Sequence, residues 1–322
     1  MPAVTALTPE ALRAEVARLA GPAAQGPFLV AVSGGPDSLS LLRLAALAWP
    51  GRIEAATVDH GVRPASAAEA HAVAGICAGL GVPHAILPPD GPIGPTRLQA
   101  MARTARYRAL ARHARVRGLA AALTAHHADD QAETLVMRLN RAAGLAGLAG
   151  VRARQEIEGL LVLRPLLSVR RAALHAVLRG LDWPVARDPT NEDPRFERAR
   201  ARRLLAQGGL NARQAARSAA LLAEADEALA WVARRVLETR RLPDGGLDLA
   251  GLPSEVARRA LALAFAERGA EPSGEALARL WDRGGGTLAG LRARSRGGVF
   301  HLHPAPPRRS LAPPVDSSAP PP

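Results

Sequence analysis

Residues 33–38, with the sequence SGGPDS, place two glycines, two hydroxyl groups and one carboxylate in a single turn. An apolar run at residues 28–32 precedes this turn and leucines at helical spacing follow it, which predicts a strand, a loop and a helix. The first turn of a helix has unpaired backbone N–H groups at the positive end of its dipole, where phosphate binds well. The residues of this candidate phosphate site are Ser33, Gly34, Gly35, Pro36, Asp37 and Ser38.

Asp37 distinguishes this turn from an ordinary P-loop. Such a loop uses a lysine, and the sequence contains no lysine, so a Walker-type ATPase is disfavoured. A carboxylate beside phosphates is expected where Mg²⁺ lies between them, which makes Asp37 a candidate ligand for that ion. A strand-to-helix turn without any ligand is the alternative interpretation at this point.

A second group of polar residues follows a predicted strand at residues 119–124. It contains two histidines, two aspartates and one glutamate, which is more than the cap of a helix requires. Helical spacing puts Asp130, Arg138 and Arg141 on one face, where they offer a carboxylate to Mg²⁺ and guanidinium groups to phosphate. A zinc site is disfavoured because adjacent histidines diverge and no further ligand is close in sequence. The candidates for chemistry in this group are His126, His127, Asp129, Asp130 and Glu133.

Asp59 is a further candidate because it follows a predicted strand at residues 53–58. Open α/β sheets bind ligands beyond the carboxyl ends of their strands, so a carboxylate at this position can belong to a site. Capping of the next turn is the alternative role for Asp59.

Arginines carry all of the basic charge of this chain. The sequence has 42 basic and 29 acidic residues, a net charge of +13, and this excess favours a nucleic-acid partner. A GC-biased genome explains arginine in place of lysine but does not explain the excess. Two rows of arginines without an intervening acid mark the predicted helix 97–118 as a phosphate-contacting face, and a basic cluster follows at residues 195–203. The arginines of interest are Arg103, Arg106, Arg198 and Arg202.

The order of predicted elements indicates an α/β fold. Five strands alternate with helices, which predicts a doubly wound, mostly parallel five-stranded sheet. The predicted strands are 28–32, 53–58, 84–87, 119–124 and 159–163. From about residue 211 the pattern becomes helical and ends in a predicted hairpin at 287–302 with its turn near 295–298. We predict three regions: an α/β domain at 1–205, a smaller, mainly helical domain at 206–303, and a disordered proline-rich tail at 304–322.

The cysteine count and the hydropathy exclude several classes of protein. Cys77 is the one cysteine, so an internal disulfide and a cysteine-rich zinc site are excluded, and we expect its side chain to be buried. No segment approaches the length of a membrane span, and residues 1–26 lack the apolar core of a secretory signal. We therefore expect a cytoplasmic protein.

Six separated segments together resemble the tRNA(Ile)-lysidine synthetases, a branch of the ATP pyrophosphatase or PP-loop group. They cover roughly residues 28–205 in matching order and spacing, which one short motif could not establish. The segments are 33–38, 58–69, 98–110, 126–134, 144–150 and 187–191. The resemblance implies a fold like that of the adenine nucleotide alpha hydrolases.

The resemblance also implies a reaction. ATP would adenylate the C2 oxygen of the wobble cytidine in tRNA(Ile) with a CAU anticodon, and the ε-amine of free L-lysine would then attack C2 and expel AMP. The product, lysidine, pairs with A and changes the tRNA from methionine to isoleucine identity. A tRNA thiolase is disfavoured because such enzymes generally rely on several cysteines. A nucleotide-sensing RNA-binding protein without turnover is the non-catalytic alternative, and it would not require so many acids near phosphate.

The roles that the resemblance implies fall on the residues named above. Residues 33–38 would bind the ATP phosphates, and Asp37 with Asp130 would hold Mg²⁺. Asp59 and Glu133 would bind the lysine cation, while His126 or His127 would orient ATP or accept the proton of the attacking amine. The arginines expected to approach phosphates of tRNA or ATP are Arg103, Arg106, Arg138, Arg141, Arg198 and Arg202.

The chain departs from the family pattern at several positions. Ala142 and Ala143 stand where the family usually has a small polar residue and a glycine, and Ala199 replaces an expected asparagine. The chain also ends before the second C-terminal domain of longer members. We therefore expect tRNA selection to depend on the catalytic domain and residues 211–303, with a homodimer partner as a further hypothesis.

Overall fold

The computed structural model describes residues 7–59, 66–90, 98–186, 195–208 and 210–306, and gives only the backbone for residues 98–100. The chain forms two compact units, Met1–Glu224 and Ala225–Pro322, whereas the sequence predicted a boundary near residue 205. The family-like motif at 187–191 and most of the motif that follows Asp59 lie outside the described residues. The predicted tail also lies outside them from residue 307 onwards.

A six-stranded sheet with the strand order β3-β2-β1-β4-β6-β5 forms the centre of the first unit. Its strands are β1 (Phe28–Ala31), β2 (Ile53–Val58), β3 (His84–Leu87), β4 (Ala121–Leu123), β5 (Arg154–Ile157) and β6 (Leu160–Leu163). Every neighbouring pair is parallel except β5 and β6, which are antiparallel. The doubly wound, mostly parallel sheet is thereby confirmed, with one edge strand more than predicted.

β5 was missed because its sequence, RQEI, carries no apolar alternation and lies mostly exposed. The turn to β6 consists of Glu158 and Gly159, both with positive φ (53° and 73°). Two such residues in succession form the tight hairpin turn that matches the twist of paired strands. Glu158 is not a residue that signals this conformation in a sequence, so neither the strand nor the turn was predicted.

Helices cover both faces of this sheet. They are α1 (Pro9–Ala20), α2 (Pro36–Ala48), α3 (Ser66–Gly79), α4 (Leu98–Arg117), α5 (Ala128–Leu139), α6 (Leu145–Leu148), α7 (Arg171–His175) and α8 (Glu197–Ala206). Alternate residues of β1 enter different cores, with Phe28 and Val30 on the side of α1 and α2 and Leu29 on the side of α4. The helix α7 is short because it passes into a 3₁₀ turn at Ala176–Leu178.

The second unit combines helices with an antiparallel sheet in the order β7-β10-β9-β8. Its helices are the C-terminal part of α9 (Ala212–Thr239), α10 (Ser254–Ala266) and α11 (Gly274–Asp282). Its strands are β7 (Leu247–Asp248), β8 (Gly285–Leu288), β9 (Leu291–Arg296) and β10 (Val299–Pro304). The predicted hairpin is confirmed as β9 and β10, with Gly297 and Gly298 between them, and β7 and β8 extend it beyond the prediction.

Cys77 is buried, which confirms the expectation from the sequence. Among the helices of the described residues, not one has the length and apolar character needed to cross a membrane.

Candidate active site

The carboxyl ends of β1, β2 and β4 bring the polar segments of the sequence to one edge of the sheet. β1 pairs with β2 on one side and with β4 on the other, so the residues that follow all three strands emerge together. The chain reverses its direction of winding at β1, and ligands of open α/β sheets bind in the crevice beside such a point. Residues 33–38, Asp59 and the segment 126–134 therefore share this edge.

Internal hydrogen bonds fix the conformation of the loop at residues 33–38. The Ser33 N–H donates to Ser38 Oγ at 3.1 Å, and Ser38 Oγ donates to the Gly35 carbonyl at 2.9 Å. Gly35 is the N-cap of α2 and Pro36 is in its first turn. The N-cap makes no side-chain hydrogen bond, and the first turn of a helix presents free N–H groups to an anion.

Glycine is required for different reasons at positions 34 and 35. Gly34 has a φ of 81°, and a Cβ there would lie 3.3 Å from Ala186 Cβ and 3.4 Å from Val73 Cγ2. Its carbonyl also accepts a hydrogen bond of 3.0 Å from the Ala186 N–H. Gly35 has an ordinary φ of −74°. A Cβ on Gly35 would meet only Ser33 Oγ, at 3.7 Å, so the protein leaves space above this residue that a bound phosphate could fill.

Substitution by alanine is expected to affect mainly fold stability at Gly34 and mainly ATP binding at Gly35. Gly34→Ala destabilises the fold by about 1–2 kcal/mol because alanine disfavours positive φ. Gly35→Ala costs the fold less, about 0.5–1 kcal/mol for alanine in place of glycine at a helix N-cap, but its methyl group crowds the phosphates at a cost of about 1–3 kcal/mol. ATP affinity of the Gly35 variant then falls about tenfold or more. Thermal unfolding and equilibrium ATP binding test both variants, and a Gly35→Ala variant with normal ATP affinity would contradict this account.

Asp37 projects from the first turn of α2 towards two histidines. His175 Nε2 lies 2.7 Å from Asp37 Oδ1, and His127 Nε2 lies 3.5 Å from Asp37 Oδ2. Burial raises the pKa of Asp37, but the hydrogen bonds and charges of His127 and His175 outweigh it and lower the pKa to about 2. The carboxylate is therefore ionised throughout the neutral range. His175 was not predicted as a site residue.

His127 connects Asp37 to the start of α5. Its side chain is fully buried, and its Nδ1 accepts the Asp130 N–H at 3.3 Å as the N-cap of the helix. Asp130 Oδ2 in turn accepts the His127 N–H at 3.1 Å, which completes a capping box. His127 Nε2 lies 3.5 Å from Asp130 Oδ2 as well as from Asp37 Oδ2, so the two carboxylates face the same nitrogen.

His126 is in a different electrostatic environment from His127. Its Nδ1 lies 3.0 Å from Thr124 Oγ1. Burial lowers its pKa to about 3, and the charges of Arg164, Arg103, Arg198 and His127 act in the same direction. His126 is therefore neutral near pH 7 and is a weak proton acceptor there.

We expect His126 not to titrate between pH 5 and pH 8 in the folded protein, because its pKa is about 3. Since the unfolded imidazole has a pKa of about 6.5, the unfolded chain binds the extra proton first, and this residue costs stability as the pH falls below that value. The test is the imidazole Hε1 chemical shift in the wild type, assigned by comparison with His126→Gln. A shift that titrates near the unperturbed value would contradict the lowered pKa of His126.

Glu133 is the centre of an arginine cluster. Its side chain is 1% exposed, and Arg171, Arg198 and Arg202 donate to it at 3.0, 2.8 and 2.9 Å. Burial raises the pKa of Glu133, but the hydrogen bond of Arg202 and the charges of the arginines outweigh this and lower it. Both carboxylate oxygens are thus occupied by side chains of α7 and α8. Sequence analysis had assigned Glu133 to lysine binding and Arg198 and Arg202 to phosphates.

Asp129 and Asp130 make further contacts with the same two helices. Arg170 donates to Asp129 through Nε and a terminal nitrogen at 3.1–3.3 Å, and the Arg171 backbone N–H donates to Asp129 Oδ2 at 2.7 Å. Arg198 donates to Asp130 Oδ1 at 3.1 Å. Burial raises the pKa of Asp129, and Arg170 with the Arg171 N–H more than offsets it. Arg170 and Arg171 were absent from the predicted site, since two adjacent arginines at a helix start carry no signal of a distant carboxylate.

The other predicted residues lie around this centre. Asp59 directly follows β2, where its backbone N–H donates to the Leu87 carbonyl at 3.0 Å. Arg103 lies over the ring of Tyr107 at 4.9 Å, and Arg141 pairs with Glu197. Arg106 is on the exposed side of α4, and Arg138 is exposed at the end of α5.

The two carboxylates beside His127 fit Mg²⁺ only together with a substrate. The described residues contain no group of three or more acidic, histidine or cysteine side chains arranged to hold a metal ion. Mg²⁺ differs from most metals in that one or two carboxylates suffice when substrate phosphates complete its coordination. Asp37 and Asp130 supply that number, next to the loop where phosphates are expected.

Comparisons with known proteins agree with this geometry. A family model described as the PP-loop domain matches residues 9–208. A tRNA(Ile)-lysidine synthase of Methylobacterium nodulans is 43% identical over 320 residues, which cover 91% of this chain and 94% of the relative. A tRNA(Ile)-lysidine synthase of Novosphingobium aromaticivorans is 45% identical over 302 residues, covering 88% of this chain and 91% of the relative.

A solved structure shows the same fold. The U34-tRNA thiolase NcsA from Methanococcus maripaludis superposes with a TM-score of 0.52 at 16% identity, over 66% of this chain and 76% of the thiolase. The central sheet and the glycine loop at its switch point define a nucleotide-binding protein of the PP-loop class. Within that class, the chain belongs to the tRNA(Ile)-lysidine synthase family.

Proposed function

We propose that this protein joins free L-lysine to C2 of the wobble cytidine of tRNA(Ile) with a CAU anticodon. ATP activates the cytidine as an adenylated intermediate, and AMP and diphosphate are released. The observation that carries the proposal is the similarity to proteins named tRNA(Ile)-lysidine synthase along most of their length. The geometry around Asp37 supports it, because an ionised carboxylate beside an open helix N-terminus suits Mg²⁺ and ATP rather than RNA binding alone.

The glycine loop and the two carboxylates would act on ATP. The N-terminus of α2 and the hydroxyls of Ser33 and Ser38 bind phosphate oxygens, and Asp37 and Asp130 hold Mg²⁺. The ion, when bound, offsets the charge that develops on the leaving diphosphate. His127, through its cap on α5, fixes the orientation of Asp130 relative to Asp37.

For lysine, we propose Asp59 as the acid that receives the ammonium group. It lies at the same sheet edge as Gly34, because the register of β1 and β2 pairs Ala31 with Ala56, three residues before each of them. We propose a different role for Glu133, which already binds three arginines and positions α7 and α8. His126, being neutral, would hydrogen-bond ATP rather than accept the proton of the amine.

For tRNA, the arginines divide into two groups. Arg141, Arg198 and Arg202 pair with acids of the same unit, so we propose that they position the site. Arg103, Arg106 and Arg138 remain our candidates for phosphates of tRNA or ATP, because all three lie at exposed positions of α4 and α5. A homodimer partner in tRNA selection stays a hypothesis, and light scattering that shows an active monomer would remove it.

AMP formation with matched transcripts tests this proposal. Purified protein is incubated with ATP, Mg²⁺, lysine and either tRNA(Ile) with a CAU anticodon or the same transcript with uridine at the wobble position. We expect AMP with the cytidine transcript alone. Equal AMP with both transcripts would favour another PP-loop tRNA-modifying reaction, and no AMP with either would favour a non-catalytic RNA-binding protein.

A further inference from the structure

The sheet of the second unit has one apolar face and one basic face. Along β9, Leu291 and Ala293 are buried in the core of that unit, whereas Arg292, Arg294 and Arg296 are exposed. This alternation follows from the two-residue period of a strand, which sends successive side chains to opposite faces. Three arginines therefore form a row on the outer face of β9.

Two histidines of β10 lie beside this row. The antiparallel register places His303 opposite Arg292 and His301 opposite Arg294. The two imidazole rings are parallel within 5° at a centroid distance of 6.3 Å. Together with Arg283 and Thr287 they line a groove of about 840 Å³.

The groove is strongly positive. The residues that line it, all within the described range, include four arginines and no carboxylate. Asp244, which is outside this lining, has an oxygen 3.2 Å from His301 Nε2. We define the basic face as Arg292, Arg294, Arg296 and the neighbouring Arg283.

The arginines of the basic face also differ from other arginines of the unit in their partners. Within the described part of the chain, no acidic side chain forms an ion pair with the basic face. By contrast, six arginines elsewhere in this unit pair with a carboxylate: Arg235, Arg240, Arg241, Arg258, Arg259 and Arg279. Like charges on neighbouring positions of a strand repel each other, so an unpaired row is unfavourable without an anionic partner.

Protection of a sheet edge does not explain the row. Charged residues often occupy edge strands to prevent aggregation, but β9 lies inside the sheet between β10 and β8. Alternate residues of a strand are about 6.6 Å apart along its axis, which is the scale of the step between successive phosphates of a nucleic-acid strand. A regular row of guanidinium groups thus matches a regular row of phosphates.

We propose that the basic face binds the phosphate backbone of the tRNA substrate. This inference depends on the proposed function for the identity of the RNA. The contacts are to phosphates, so they add affinity and position the tRNA without reading its sequence.

The test compares three variants with the same fold. The first is R292Q/R294Q/R296Q, and the second is the charge-preserving R292K/R294K/R296K. The third, R235Q/R240Q/R279Q, removes the same charge from exposed ion pairs outside the basic face. Fluorescence anisotropy with labelled tRNA(Ile), without ATP or lysine, gives the dissociation constant at several salt concentrations. Thermal unfolding checks that each variant is folded.

We expect the glutamine variant of the basic face to lose about 10–100-fold in tRNA affinity at low salt. The plot of log K against log salt should become less steep. Its negative slope should shrink in magnitude by about 2–3, because each phosphate contact contributes about 0.7–0.9 to that magnitude. The lysine variant should keep the slope, and the control variant should keep both slope and affinity. Equal weakening by the basic-face and control variants would overturn the proposal, since net charge alone would then explain it.

Two other outcomes are informative. If the glutamine variant of the basic face loses binding to phosphatidylglycerol vesicles but keeps its tRNA affinity, the basic face binds a membrane surface and this inference is overturned. If the wild type binds tRNA through the basic face but forms no lysidine, the inference stands and the proposed reaction fails.

Discussion

Asp37→Asn is expected to lower the rate of AMP formation by about 10²–10³-fold, the usual effect of removing one charged group from a site where charge develops. The side chain keeps its size and can still bond to His175, but it loses the charge that the pKa of about 2 preserves in the wild type. Because Asp37 belongs to the phosphate loop and not to an arginine-rich face, we expect tRNA affinity to change little. Single-turnover kinetics with saturating tRNA measures the rate.

Asp90→Asn is the matched control for this variant. It removes the same charge from a half-exposed aspartate that lies 3.6 Å from Arg112. Such surface pairs contribute about 0–1 kcal/mol, so the control should react and unfold as the wild type does. Normal AMP formation by Asp37→Asn would mean that this carboxylate does not act on ATP or Mg²⁺, and the proposed site would then be wrong.

Glu133→Gln is expected to destabilise the first unit by about 2–4 kcal/mol, somewhat below the usual cost of breaking a buried ion pair because its arginines reach solvent. Three guanidinium groups from α7 and α8 lose the charge that holds them. Tm should fall by about 2–4 °C for each kcal/mol in a unit of this size. Denaturant and thermal unfolding of the wild type and of Glu133→Gln measure the difference in their free energies of unfolding.

The pH dependence of this difference has a definite sign. The pKa of Glu133 is lowered in the folded protein, so the carboxylate stabilises the fold above about pH 4.3, its unfolded pKa, and this stabilisation is lost on acidification. Glutamine does not titrate, so Glu133→Gln has no such stabilisation to lose on acidification. The free energies of unfolding of variant and wild type should therefore converge at low pH. Glu158→Gln, which alters a more exposed pair with Arg108, is the control and should show little change.

The stability and kinetics of Glu133→Gln also distinguish a structural, arginine-binding role of Glu133 from a lysine-binding role. A variant with wild-type stability and a raised KM for lysine would contradict the arginine-binding role and restore the lysine-binding one. A destabilised variant whose KM for lysine is unchanged supports the structural role.

Local sequence patterns were sufficient for the strands that carry the site. The predicted strand at 53–58 coincides with β2, and those at 28–32 and 119–124 contain β1 and β4, because short apolar runs bounded by turn residues describe strands buried in a parallel sheet. The strand order itself was not predicted: residues 33–38 and 126–134 share a sheet edge because β1 and β4, which precede them, are parallel neighbours in the structure.

The partners within the site could not be predicted. His175 is 138 positions from Asp37, and it lies on a short helix whose sequence carries no motif. Glu133 illustrates the same limit, because a glutamate near aspartates and histidines suggests chemistry until the three arginines around it are seen. Pairing between distant side chains is decided by tertiary packing, which a single sequence does not show.

The most direct test of the proposed function is transfer of lysine to the tRNA base. Purified protein is incubated with ATP, Mg²⁺, radiolabelled lysine and tRNA(Ile) with a CAU anticodon, and the tRNA is then treated with mild alkali to remove aminoacyl esters. We predict that label survives and that digestion places it in the wobble nucleoside, as required by a carbon–nitrogen bond to C2. If ATP is split to AMP and no label survives alkali, the adenylation step stands and lysine as the nucleophile is contradicted.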